Sequence, residues 1–523
     1  MTFRFFIMKK TITIAAAVLS GILLFLSFPP FEIAFLGWVA LIPLILACAG
    51  AAPRRAAGLG WLSGAVFFLG TLFWLRHVTW LGFIALAFYC ALYVIPFALF
   101  ISLRVCGWRS MARFKTLGWI TGAAAVWAAS EYLRATLITG FPWNPLGVSQ
   151  YAQGSLIQIA EWGGVYLLSA LMVFVNVAGA ATILQYASGL RSSGYRIHIE
   201  LMSAMLLVAL ASSFGLHVLL VRAPAGEPVR VALIQPNIPE VGNWEMADPE
   251  LIYERLELLT ELAGHSQDLN LIIWPETALP DCVRYSARSA DLVQRMASGA
   301  NVPLLAGSID SVWRSDGKPD FYNGSMLFNA RGELLNSYYK QHLVLFGEYI
   351  PFEGKIPFIN ALTPIGSSFR AGEEATVFHL PDDLRSFSVL ICFEDTLPPL
   401  ARRAARRGAT WLVNQTNDSW FDPDCGSKQH MANAVFRCIE TRLPMVRCTN
   451  TGITCLVDVT GRITQTLAPR VEGFQVVEVT PSDPVRKPTL YTRFGDWFAQ
   501  ACLLGTVALF LIGLIKRKKK THA

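Results

Sequence analysis

The chain contains eight stretches of roughly 20 apolar residues, seven of them within the first 221 positions and the eighth close to the C-terminus. A hydrocarbon core about 30 Å thick offers no water to backbone N–H and C=O groups, so such segments fold as helices that satisfy their own hydrogen bonds. The expected spans are about 11–28, 32–50, 57–75, 79–103, 117–137, 162–186, 199–221 and 497–515. Lys9 and Lys10 ahead of the first run would also suit a secretory leader. However, more apolar segments follow at once, and Phe28-Pro29-Pro30-Phe31 reads as a tight turn, not a small-residue cleavage site. The first segment is therefore expected to remain as a span.

Charge orients the array. Residues 222–495 carry 26 Lys+Arg against 32 Asp+Glu, whereas the rest of the chain carries 18 against 5. An acidic central block does not suit a phosphate backbone, which argues against nucleic-acid binding. With the N-terminus inside, the cytoplasmic segments collect Arg4, Lys9, Lys10, Arg54, Arg55, Arg104, Arg109, Arg113, Lys115, Arg191, Arg196 and the tail Lys516-Arg517-Lys518-Lys519-Lys520. Only Arg76 and Arg134 of the outer basic residues fall elsewhere. By the positive-inside rule both termini lie in the cytoplasm and 222–495 lies on the far side. The expected organisation is thus a seven-helix membrane domain (1–221), an extracytoplasmic domain (222–495), and a final helix with a basic tail (496–523).

The central block follows a different grammar. Short β-rich runs at Val229–Ile238, Leu269–Trp274, Pro303–Gly307, Ser325–Phe328, Leu335–Tyr339, Phe387–Cys392, Trp411–Asn414, Met445–Cys448 and Thr454–Val459 alternate with helical patterns near 249–262, 286–299, 398–407 and 428–442. Leu269–Trp274 and Phe387–Cys392 are continuously apolar, as in strands covered on both faces. About 270 residues of this alternation imply an α/β sandwich.

Three segments place reactive groups where strands end. Glu276, in Trp274-Pro275-Glu276-Thr277, follows a buried strand, and desolvation beside Trp274 is expected to raise its pKa towards that of a general base. Lys340 follows Tyr338-Tyr339 at a β terminus, where a point charge stabilises a developing oxyanion. Cys392, between Ile391 and Phe393-Glu394-Asp395, ends a buried strand before a helix; a helix N-terminus and a nearby lysine favour its thiolate. Each also has a plainer explanation: a solvated glutamate, a surface lysine, a small buried hydrophobe.

Taken together, the Glu, Lys and Cys segments resemble the carbon–nitrogen hydrolase (nitrilase) superfamily, whose triad runs in that chain order. Gln235-Pro236-Asn237-Ile238, Trp244, Tyr322-Asn323-Gly324, Phe369-Arg370-Ala371-Gly372, Asn417-Asp418-Ser419-Trp420-Phe421, Gln429-His430, Arg437, Glu440-Thr441-Arg442 and Thr449-Asn450-Thr451-Gly452 extend the match. Such a domain set between seven spans and one more, with Phe141-Pro142-Trp143-Asn144-Pro145-Leu146-Gly147 in a far-side loop, resembles the apolipoprotein N-acyltransferase family. The resemblance implies an αββα sandwich beside a membrane domain of about eight helices. It implies that Cys392 takes a fatty acyl chain from a phospholipid, phosphatidylethanolamine, as a thioester. The chain then passes to the α-amino group of an S-diacylglyceryl cysteine on an apolipoprotein, the last step of lipoprotein maturation. Glu276 would be the base and Lys340 the oxyanion stabiliser. Glu348 and Glu394 would support the site, together with Asn323, Phe393 and Tyr349, and Trp244 would contact lipid. It further implies a bacterial inner-membrane protein with a periplasmic site, no cofactor and no metal. Nitrilase domains often oligomerise, but a membrane anchor opposes this, so a monomer is expected.

Alternatives were weighed on the same residues. A membrane-tethered amidase shares the thioester and differs only in its acceptor, water. A transporter would need Asp or Lys deep in the spans, and none is seen there. Glu131, Arg134 and Glu161 lie near span ends and are expected to face the interface. A His342–Cys392 pair leaves the Glu and Lys segments unexplained, and Cys425 with His430 lacks companion metal ligands. The apolar segment Leu345–Leu362, with Phe346, Tyr349, Phe358 and Ile359, reads as a lid dipping into the bilayer, or else as core. An oxidising compartment permits disulfides among the ten cysteines, although Cys438, Cys448 and Cys455 read as core.

The charge asymmetry predicts the outcome of reporter fusions: cytoplasmic signal at Arg109 and Arg196, far-side signal at Gly264 and Gly408. A cytoplasmic signal at Gly408 would overturn the eight-span arrangement.

Overall fold

In the computed structural model the described residues are all but 1–9, 106–112, 188–197, 222–225, 240–247, 352–367, 381–385, 422–424, 486 and 522–523. The chain divides into two units, one of Met1–Val221 with Phe494–Ala523 and the other of Arg222–Arg493.

The first unit is helical. Its main helices are α1 (Lys10–Leu26), α2 (Ile42–Cys48), α3 (Pro53–Thr71), α4 (Trp80–Ala91), α5 (Ile95–Val105), α6 (Arg113–Thr136), α7 (Val165–Ala187), α8 (Ile199–Val221) and, at the C-terminal end, α13 (Trp497–Thr521). Among the described residues, three continuous helices are long and apolar enough to cross a membrane: Trp80–Leu103, which joins α4 to α5, then α7 and α8. Every segment read as a span contains helix, but the second is not one helix. A 3-10 turn at Ala34–Trp38 and the seven-residue α2 replace it.

That break leaves backbone groups to satisfy, and buried side chains satisfy them. Asn176 of α7 accepts from the Leu41 N–H at 2.8 Å and donates to Gly37 O at 3.0 Å. The Ser20 hydroxyl of α1 donates to Ala40 O. Glu131, Arg134 and Glu161, expected at the interface, are instead buried. Glu131 accepts from Trp127 Nε1 and the Leu146 N–H, both at 2.7 Å, and Arg134 donates to Phe141 O at 2.8 Å and Trp143 O at 2.7 Å. These charges serve the Phe141–Gly147 loop, whose irregular backbone must find partners inside the protein.

The second unit is an αββα sandwich. One sheet has the order β12-β1-β2-β3-β4-β5, from Gly473–Val479, Val229–Gln235, Leu271–Ile273, Leu304–Trp313, Pro319–Phe328 and Leu334–Tyr339. The other has the order β11-β10-β9-β8-β7-β6, from Ile463–Leu467, Thr454–Val457, Met445–Thr449, Trp411–Thr416, Ser386–Ile391 and Phe378–His379. Each sheet has three parallel strands at its centre, β1-β2-β3 and β7-β8-β9, flanked by antiparallel ones. Strand alternation sends Val231, Leu233 and Ile273 to the apolar layer between the sheets, with Val389, Ile391 and Val413 opposite. Ala232, Ile234, Ile272 and Trp274 face the other way, towards helices α9 (Pro249–Gly264) and α10 (Ala287–Ala300). On the second sheet α11 (Pro398–Arg406) lies against α12 (Gly426–Thr441) and β7. Helix starts follow capping chemistry: Asp248 accepts from the Glu250 N–H ahead of Pro249, and Ser286 accepts from the Ser289 N–H.

The sequence pattern missed β6, β11 and β12. β12 pairs along all of β1 as an antiparallel edge, and its Val476-Val477-Glu478-Val479 alternation carried the signal. β6 is two residues long and exists only through its pairing with β7.

The parallel strands end together, and β3 crosses closely behind the end of β2. A Cβ at Gly307 would meet Pro275 O at 2.0 Å and Glu276 Cα at 2.9 Å. Gly307→Ala should therefore displace the Pro275–Glu276 backbone and cost about 1–3 kcal/mol, the usual range for overpacking. An unchanged thermal unfolding curve would show that this contact is not tight.

Candidate active site

Two strand ends, the middle of a third strand and one turn converge on a buried ammonium. Glu276 lies three residues beyond β2, Asn323 lies within β4, Lys340 directly follows β5, and Glu348 sits in the turn after it. Lys340 Nζ is 2.8 Å from Glu348 Oε1 and 3.3 Å from Glu276 Oε1, and its side chain is 1% exposed. Burial pulls the Lys340 pKa down, but Glu348, Glu276 and the Cys392 sulfur outweigh it and hold the group well above the ordinary lysine value. The lysine is therefore a fixed positive charge. Asn323 Nδ2 donates to Glu276 Oε1 at 2.8 Å and to Glu348 Oε1 at 3.0 Å, tying the two carboxylates together. The Asn417 N–H donates to Glu276 Oε2 at 2.8 Å, and the Val344 N–H to Glu348 Oε2 at 2.8 Å. The surroundings of Glu276 are thus polar. The expected desolvating neighbour, Trp274, points to the other face and donates its indole N–H to Thr260.

Cys392 terminates β7 in a left-handed conformation, φ +50°, and opens a five-residue 3-10 turn, Cys392–Thr396. α11 starts only at Pro398, so the helix that follows the strand does not begin at the sulfur. The expectation of a favoured thiolate is overturned accordingly. Burial first, then Glu276, push the Cys392 thiol well above its usual range, against the opposing pull of Lys340 and a Thr416 hydrogen bond. Cys392 is held there as a neutral thiol, and making it a thiolate would require a base.

Glu394 lies behind this group as a four-way acceptor. Oε1 takes the Gln341 N–H at 2.7 Å and the His342 N–H at 3.0 Å; Oε2 takes the Ile391 N–H and the Tyr338 hydroxyl, both at 2.8 Å. It joins the Lys340 loop to the strand that carries Cys392. Phe393 stacks on His342 with ring centroids 6.0 Å apart, so that histidine is engaged with a ring and not with the thiol. Tyr349 is half-buried in the turn that follows Glu348, its carbonyl accepting from the Phe346 N–H at 2.9 Å. Trp244 and residues 352–362 of the expected lid lie outside the described residues.

Several groups at the site were not assigned a role from sequence. Asn414 Nδ2 donates to Cys392 O at 3.1 Å, and Gln415 Nε2 to Trp274 O at 2.6 Å, linking the sheets beside the site. His430, Asp395, Asp418 and Arg447 form a fully buried charged group behind Cys392. Only tertiary pairing makes them neighbours, since they come from two turns, a strand and a helix. His430 is committed there to two carboxylates, which removes it from any pairing with Cys425 on a metal. None of the nine described cysteines is in a disulfide, and Cys438, Cys448 and Cys455 are core residues, as their positions implied.

Two family models match the chain: the apolipoprotein N-acyltransferase N-terminal domain over residues 20–178, and carbon–nitrogen hydrolase over residues 230–484. Among curated relatives, an apolipoprotein N-acyltransferase of Geobacter metallireducens is 35% identical, covering 97% of this chain and 96% of its own length. One from Chlorobaculum tepidum is 30% identical, covering 96% of each. Among solved structures, Saccharomyces cerevisiae Nit3, a nitrilase-superfamily member, aligns with 50% of this chain and 93% of its own at 20% identity and a TM-score of 0.38.

Burial raises the Glu394 carboxyl from 4.5 to about 7. A carboxyl raised on folding gives full stability below 4.5 and loses it as pH climbs to about 7, because the unfolded chain releases its proton first. Glu394→Gln should abolish that slope. It should also cost about 2–3 kcal/mol, since an amide turns one acceptor into a donor facing buried donors. Melting temperatures of both proteins from pH 4.5 to 8 test this; parallel profiles would exclude the assignment.

Proposed function

The chain belongs to the apolipoprotein N-acyltransferase family, and from that membership and the site's geometry we propose a two-step acyl transfer. The donor is a phospholipid, phosphatidylethanolamine, and the acceptor is the α-amino group of an S-diacylglyceryl cysteine at an apolipoprotein N-terminus. The observation that carries the proposal is the Lys340 ammonium, buried between Glu276 and Glu348 and coupled to the Cys392 sulfur.

In the first step Glu276 accepts the Cys392 proton as the sulfur attacks the ester carbonyl. Lys340 balances the charge that develops on the carbonyl oxygen. Collapse forms the thioester and breaks the ester C–O bond, and the departing lysophospholipid oxygen takes the proton from Glu276. In the second step Glu276 accepts a proton from the incoming amine, the nitrogen attacks the thioester carbonyl, and the Cys392 sulfur leaves and recovers that proton. Glu348 and Asn323 hold Lys340 and Glu276 in register throughout. Glu394 holds the Lys340 loop against the end of β7.

The membrane helices fit this chemistry. A free soluble enzyme would extract acyl chains at about 0.8 kcal/mol per CH₂. Here the catalytic domain follows α8 and precedes α13 in the chain, which tethers it to the bilayer that holds both substrates. We place it on the periplasmic side of the bacterial inner membrane, with both termini cytoplasmic and the protein a monomer. An amidase using the same thioester with water as acceptor is less well supported, because the relatives named as N-acyltransferases match over the membrane domain as well as the catalytic one.

Intact-mass measurement after incubation with phospholipid tests the assignments. The wild-type chain should gain one acyl mass on Cys392, and Cys392→Ser none. Glu276→Gln should acylate at least about 100-fold more slowly, the usual loss for a general base. Lys340→Met should raise the barrier by about 3–4 kcal/mol, the scale of one oxyanion donor. Rapid acylation of Glu276→Gln, or an adduct on another cysteine, would overturn the mechanism.

A further inference from the structure

Behind the nucleophile lies a charged group that these acyl-transfer steps do not use. Cys392 holds a left-handed backbone, φ +50°, which a residue with a side chain keeps only when its surroundings impose it. The grip is on its carbonyl oxygen. Asn414 Nδ2 donates to it at 3.1 Å, and His430 Nε2 lies 3.3 Å from it on the other side.

Both ring nitrogens of His430 lie against acceptors. Nδ1 is 3.0 Å from Asp418 Oδ1, and Nε2 is 2.8 Å from Asp395 Oδ1 in addition to the Cys392 carbonyl. A neutral imidazole has one N–H and would leave one nitrogen lone pair against an oxygen; the imidazolium donates from both. The charged groups facing the ring are Asp395 from the turn after β7, Asp418 from the turn after β8, and Arg447 from β9, which pairs with Asp395 and lies 3.8 Å from Asp418. Two carboxylates and one guanidinium leave a net negative charge in a fully buried site, and a second cation cancels it. Asp418 Oδ1 also accepts from the Thr416 hydroxyl at 3.0 Å, and Gly452 lies against Oδ2, where a Cβ would sit 2.2 Å away.

We propose that His430 is a positioning residue for acyl transfer: as an imidazolium it grips the Cys392 carbonyl, holds the nucleophile's left-handed backbone, and keeps the thiol aimed at Glu276 and Lys340. Loss of its proton removes either the Nε2 grip on the Cys392 carbonyl or the Nδ1–H given to Asp418, which anchors the ring, so the nucleophile should lose alignment on the alkaline side. Burial disfavours the charged ring, but Asp395 and Asp418 raise it to about 9. Lys340 and Cys392 are both held well above their own ordinary values.

The inference rests on Cys392 being the acylated residue, and single-turnover acylation separates the two claims. The full-length protein is mixed with micelles of phosphatidylethanolamine in dodecyl maltoside, and acyl mass on Cys392 is followed from pH 6 to 10.5. Wild-type acylation should fall as pH rises through about 9. His430→Gln places a neutral donor near the Nε2 position; it should be slower by roughly tenfold, the worth of one charged hydrogen bond, and lack the alkaline fall. His430→Asn reaches only Asp418 and should be slower by about 100-fold, as for a misplaced reacting group. The lipid concentration for half-saturation should stay unchanged in both. Wild-type rates in either folded variant, or an alkaline fall that persists in His430→Gln, would overturn the role of His430. If neither variant folds, the wild-type profile decides alone, and rates that hold steady through pH 10 refute the proposal. Absence of acyl mass on Cys392 in the wild-type chain would refute the acyl-transfer mechanism itself.

Discussion

The catalytic domain is arranged around one buried cation. Lys340 is fully enclosed, and an ammonium there is tolerable only because Glu276 and Glu348 both reach it and Asn323 fixes their spacing. Much of the local architecture keeps that arrangement intact. The absence of a side chain at Gly307 lets the Glu276 segment pass, and Glu394 ties the Lys340 loop to the end of β7. A charge held this firmly would need no reorganisation in the proposed oxyanion role, which is the basis of electrostatic catalysis in a preorganised site.

Cys392 is set differently. Burial and Glu276 keep its thiol protonated. A resting thiol is less open to oxidation than a thiolate. The carbonyl beneath it lies between the Asn414 amide and the His430 ring.

In the helical unit the governing constraint is backbone satisfaction without water. The break before α2 and the Phe141–Gly147 loop are possible because Asn176, Glu131 and Arg134 supply the missing partners. Charged side chains near span ends looked like interface residues because sequence distance to a boundary was the only available measure. Their hydrogen bonds to a loop seven to fifteen positions along the chain place them inside.

Apolar runs, basic loops and three strand-end residues were readable because each depends on local pattern: helix length against bilayer thickness, charge beside a span, a reactive group after a continuous apolar strand. From these followed the helical unit, the α/β block and the candidacy of Glu276, Lys340 and Cys392. The ionic state of the site did not follow. Whether Cys392 rests as thiol or thiolate depends on the balance of burial, Glu276 and Lys340, which come together from β2, β5 and β7. The two-residue β6, which exists only as a partner of β7, was equally out of reach. The cluster of His430, Asp395, Asp418 and Arg447 was invisible for the same reason. Its members lie up to 52 positions apart in sequence, and only the parallel packing of β7, β8 and β9, with α12 laid across them, makes them one buried electrostatic unit.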